Sequence, residues 1–117
     1  MEKINKNEIV SSISKAAERM GLSSEDLLEM IPDLLDDCLE KSNAMLCKAD
    51  QLTEEEIKLI AHDLKGVFRN YGLDQAGELM LNIENNPNGS EGKNRIGLLE
   101  EIIEYLNNIK KLELHSA

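Results

Sequence analysis

The chain has 117 residues, 41% of them hydrophobic but only 3% aromatic, and a formal net charge of −10. That length suits a single domain over residues 1–117 with one core, which Leu, Ile and Met must fill, and leaves no length for a second core. The charge would repel nucleic acid and anionic membranes over most of the surface, and so few aromatics argue against base stacking, so the expected partners are proteins or small ions.

No apolar run reaches membrane-spanning length, and the first six residues lack a signal-peptide core, which together predict a soluble, non-secreted, cytoplasmic protein. Cys38 and Cys47 stand nine residues apart in one predicted helix, so they project from opposite sides of it and cannot pair. Both fall at or near apolar positions and are expected as small buried hydrophobes, in keeping with a reducing compartment.

In chain order, Ile9, Ile13, Ala16, Ala17 and Met20 recur at helical spacing, and Gly21 supplies a stop, which predicts a first helix over about residues 6–20. Ser23 with Asp26 in third position, flanked by Leu22 and Leu27, marks the next helix start. Its stripe of Ile31, Leu35, Cys38, Met45 and Ala49 extends it over 24–49; Pro32 should kink the helix or mark a fresh beginning, and a bend with the helix resuming after it is the expectation. Thr53 and Glu56 form a capping-box pattern with Leu52 and Ile57 as the staple, opening a helix over 53–71 that Gly72 closes. A shorter helix over 74–85 follows almost at once and should lie antiparallel to it. The turn-forming stretch 85–94 reads as a surface loop, and Ile96, Leu99, Ile102, Ile103, Leu106 and Ile109 predict a last helix over 95–112. Nothing alternates like a strand. The fold class expected is all-α, an antiparallel four-helix bundle with an additional N-terminal helix.

The third helix carries the chemistry. At about 100° per residue, Ile57, Ile60, Leu64, Val67, Phe68 and Tyr71 cluster on the side opposite His62, so the imidazole is expected to face solvent. Lys58, Lys65 and Arg69 project within about 60° of it, three cations in an acidic chain, and Gly66 flanks it on the other side. A glycine inside a helix costs about 1 kcal/mol relative to alanine, which points to a need for space beside the imidazole. A neutral imidazole nitrogen is a competent nucleophile, and a phosphoryl group placed on it would present oxygens to Lys65 or Arg69. Leu59 and Asn70 fall on the same side and complete a candidate docking patch with Lys58 and Arg69.

The run His62-Asp63-Leu64-Lys65-Gly66, continued by Asn70-Tyr71-Gly72-Leu73 and by Leu79, Ile83 and Glu84, resembles the histidine-containing phosphotransfer (HPt) domain family over most of the chain. The resemblance implies a bundle in which His62 accepts the phosphoryl group, Lys65 stabilises it and Gly66 clears the approach of a partner. It also implies a phosphorelay carrier charged by a receiver-domain aspartate or a histidine kinase and discharged to a response regulator. Partners would be receiver domains and possibly a hybrid sensor histidine kinase. Mg²⁺ would come from the receiver, with no intrinsic cofactor, and the carrier would be a monomer. Val67 and Phe68 stand where the family usually has small residues, and both fall on the inward side of the helix.

The rival reading is an acidic helical adaptor that docks a partner without phosphotransfer, which leaves Gly66 without a purpose. Glu84, Asn86, Asn88 and Gly89 mimic the opening of a calcium loop, but Arg95 occupies the twelfth position, where a bidentate glutamate is needed. Cys38, Cys47, His62 and His115 lack the short ligand spacing of a zinc site.

Overall fold

The computed structural model describes residues 5–90, 92–112 and 114. His115 and the first four residues, which entered the readings above, lie outside that set.

Among the described residues there are five helices: α1 (Lys6–Met20), α2 (Ser24–Cys47), α3 (Glu54–Asn70), α4 (Asp74–Asn85) and α5 (Arg95–Lys111). Each start has a local cause. Asn5 accepts from the amides of Asn7 and Glu8, and Ser23 accepts from that of Asp26. Thr53 and Glu56 close the capping box reciprocally, at 3.0 and 3.1 Å. Asn94 accepts from the Gly97 amide at 2.8 Å to start α5. The link between α3 and α4 is short because Gly72 adopts φ +81° and Leu73 N donates back to Phe68 O at 2.8 Å, which reverses the chain at once.

The helices pack in the order α3 on α4, α4 on α5, and α5 on α2, with α1 laid against α2. Phe68, the chain's one phenylalanine, is fully buried with Ile57, Leu99, Ile102 and Leu106, so the bulk after Gly66 is absorbed by the core. Burying each such side chain contributes about 1.5–3 kcal/mol. α1 is integral to this packing: Ile13, Ala16 and Ala17 are fully buried, and the α1 backbone lies directly on Gly72. Arg19 Nη2 also donates to Arg69 O at 3.4 Å, tying α1 to the end of α3.

Three expectations are corrected. α2 continues past Pro32 as expected but ends at Cys47 and not at residue 49, leaving Ala49 buried in the turn that follows. Cys47 is exposed whereas Cys38 is buried, because nine residues carry the chain half a turn round the helix and only one of the two can face the core. The stretch read as a plain loop contains a two-residue antiparallel ladder, β1 (Gly89–Ser90) with β2 (Lys93–Asn94). Its Asn88 donates to Glu54 and accepts from Arg95, an arrangement of a brace and not of a calcium loop.

Candidate functional site

His62 sits midway along α3 with 60% of its side chain exposed. Ala61 and Leu64 on either side of it in sequence are buried, so the helix fixes the imidazole outward by anchoring its neighbours in the core.

Glu84, near the end of α4, organises what lies beside the ring. One carboxylate oxygen, Oε2, stands 3.2 Å from His62 Nδ1, and the other, Oε1, accepts from Lys65 Nζ at 2.6 Å. Lys65, which helical projection alone would leave in solvent beside His62, is only 14% exposed at its side chain and reaches across to α4. The ammonium beside Glu84 holds that carboxyl below the usual carboxylate range, with the His62 hydrogen bond adding to the effect. A charge-assisted contact of this kind keeps the carboxylate ionised and oriented toward the imidazole.

The other predicted neighbours divide. Arg69 pairs with Glu78 at 3.3 Å, and its aliphatic stem lies across Gly77, where a Cβ would stand 2.9 Å from Arg69 Cγ. Lys58 is exposed with no ion pair among the described residues, Asn70 is exposed, and Leu59 is 63% exposed on the same helix. Of the three cations grouped round His62 by helical projection, the structure therefore brings Lys65 to Glu84, turns Arg69 toward α4 and leaves Lys58 in solvent. Gly66 meets nothing: a Cβ built on it has no atom within 4 Å outside its own helix. No packing among the described residues demands a glycine there.

Two features escaped the sequence. The Glu84 contact needed the pairing of α4 with α3, although Glu84 was noted as the end of a familiar pattern. The second is a groove of about 400 Å³ between α2 and α3, lined by Ala44, Met45, Leu52, Ile60, Leu64 and Val67, with Lys41, Lys48 and Asp63 at its polar edge. It lies on the side of α3 turned away from His62, with Asp63 as its nearest residue in sequence, between two helices that are not among the pairs in extensive contact. Among the described residues no group of three His, Cys, Asp or Glu side chains could hold a metal ion, and no helix is long and apolar enough to cross a membrane.

The model of the Hpt domain family matches residues 23–112, most of the chain, and the protein belongs to that family. No curated protein and no solved structure matches it. Family membership carries histidine phosphotransfer in two-component phosphorelays as the general function, and receiver domains and kinases as the general partners.

Proposed function

We propose that His62 is the phosphoryl carrier of this domain and that its Nε2 is the reacting atom. What carries the reading is the contact of Nδ1 with Glu84. A carboxylate accepts and cannot donate, so Nδ1 carries the proton and Nε2 is left with its lone pair facing solvent. Nε2 attacks the phosphorus of a receiver's aspartyl phosphate; the N–P bond forms as the acyl P–O bond breaks, and the electron pair returns to the aspartate carboxylate. Discharge to the next receiver is the same exchange reversed. The Mg²⁺ that neutralises the phosphoryl oxygens belongs to the receiver, and this chain contributes Lys65 as the nearby cation.

Gly66 supports the docking part of this reading, since the space beside it is open and unused by the fold. Lys58, Leu59, Arg69 and Asn70 border the approach, and the α2–α3 groove offers apolar surface for the body of the partner. The protein acts as a cytoplasmic monomer that carries phosphoryl groups between a receiver or hybrid kinase and a response regulator. The groove and Leu59 would equally serve an adaptor that only docks, and phosphotransfer separates the two. The protein is to be mixed with Mg²⁺ and a panel of phosphorylated receivers and examined for acid-labile phosphate. Label is expected on the wild type and absent in His62→Gln; label that persists in the variant moves the site elsewhere, and no label from any receiver favours the adaptor.

A further inference from the structure

Arg95 opens α5, at the end of the bundle away from the α3–α4 turn, and spends its guanidinium on two chain connections at once. Nε donates to Pro87 O at 2.7 Å and Nη2 to Asn88 Oδ1 at 2.7 Å, both just beyond α4. Nη1 donates to Ala49 O at 2.5 Å and to Leu52 O at 3.1 Å, both in the link that leads into α3. Asn88 Nδ2 in turn donates to the carboxylate of Glu54, the first residue of α3. A planar fork with five N–H groups can hold four acceptors in fixed directions, which a lysine ammonium cannot.

The placement matters because α3 and α4 form a hairpin. One end is closed covalently by Tyr71, Gly72 and Leu73, and the other is tied by the chain Arg95, Asn88, Glu54. His62, Lys65 and Glu84 lie between the two ties, and their contacts cross from one arm of the hairpin to the other. We propose that Arg95 is a positioning residue for the His62 site: by fixing the open end of the α3–α4 hairpin it sets the Glu84 carboxylate against His62 Nδ1. Its consequence for transfer rate rests on the phosphotransfer reading above, whereas its consequence for geometry does not.

The test uses the full chain with Arg95→Gln, Arg95→Lys and Asn88→Ala, with Glu84→Gln as the reference for a lost contact. Circular dichroism establishes that each variant is folded. The imidazole ¹⁵N shifts of His62 then report the Nδ1–H to Nε2–H tautomer ratio, and a carboxyl titration reports the midpoint of Glu84, neither of which a merely stabilising arginine would move in a folded variant. In Arg95→Gln and Asn88→Ala the tautomer ratio is expected to shift toward that of Glu84→Gln and the Glu84 midpoint to rise toward the ordinary glutamate value. Arg95→Lys is expected to restore neither. Transfer from a phosphorylated receiver should slow by about tenfold with little change in receiver affinity, as misplacement of a reacting group does. Folded variants with the wild-type tautomer ratio and Glu84 midpoint would overturn the proposal. Should Arg95→Gln fail to fold, Asn88→Ala decides, because it cuts the tie at an exposed residue and leaves the guanidinium its three carbonyls. If wild type accepts no phosphoryl group, the carrier reading falls while the two spectroscopic readouts still judge Arg95.

Discussion

Glu84 lies as far beyond Leu73 as His62 lies before it, eleven residues each way, and the two side chains meet at 3.2 Å. In an antiparallel hairpin with a short link, residues equidistant from the pivot face each other. The same mirror sets Arg69 against Gly77, four residues to either side, and there the arginine stem lies over the glycine, so that a Cβ would stand 2.9 Å from Arg69 Cγ and the side chain would have to shift. The candidate site is thus a product of the hairpin and not of α3 alone.

Removing the charge of Glu84 should flatten the acid limb of stability. Lys65 lowers the folded-state pKa of Glu84 below the ordinary value of 4.5, so its contribution is present above that value and is lost as pH falls through the lowered one. Denaturant midpoints measured from about pH 5 to about pH 3 should fall more steeply for wild type than for Glu84→Gln. Parallel curves would show that the Lys65–Glu84 contact adds nothing to the folded state.

Gly66 should be separable into a folding cost and a docking benefit. Since a Cβ there meets open space, Gly66→Ala is expected to raise stability by up to about 1 kcal/mol through helix propensity. Gly66→Gln should retain the helical spectrum and lose transfer from a phosphorylated receiver. Normal transfer in Gly66→Gln would count against a close approach over this face.

Gly72 should tolerate no side chain. Its φ of +81° disfavours any Cβ, and that atom would stand 2.5 Å from Ser12 O of α1. Gly72→Ala is expected to lose at least about 2 kcal/mol, from left-handed strain plus displacement of α1. Hydrogen exchange should show the amides of α1 losing protection first, and an unchanged urea midpoint would contradict the close approach.

The two thiols should differ sharply toward alkylation. Burial raises Cys38 to about 11, and it sits in the core, whereas Cys47 is exposed. Native protein treated with iodoacetamide at neutral pH should take one label, at Cys47, and the second only on unfolding. Equal labelling of both in the native state would place Cys38 wrongly.

Much of this was legible because the helices announce their ends. Ser23 and Thr53 cap where short polar side chains precede apolar periodicity, and Gly21 and Gly72 take the positive φ that ends helices abruptly, whereas the caps Asn5 and Asn94 emerge only from the structure. The outward face of His62 followed from the same period. Projection on one helix treats every residue off the core stripe as solvent-facing, Lys65 among them, whereas the neighbouring α4 covers part of that arc and supplies Glu84. The α2–α3 groove is beyond reach for a related reason: a groove between helices depends on how closely each pair packs. Arg95 entered the sequence reading only as the residue that spoils a calcium loop, since donors to backbone carbonyls leave no pattern in the order of side chains.

The family match begins at residue 23, three residues beyond the end of α1. Yet Ile13, Ala16 and Ala17 are sealed from solvent, and the turn that joins the two arms of the hairpin rests on the α1 backbone. A fragment cut to the matched boundaries would bare the apolar surface that α1 covers and free the pivot on which the facing of His62 and Glu84 depends. For this protein, the unit that must be kept whole to study the chemistry is larger than the segment that announces it.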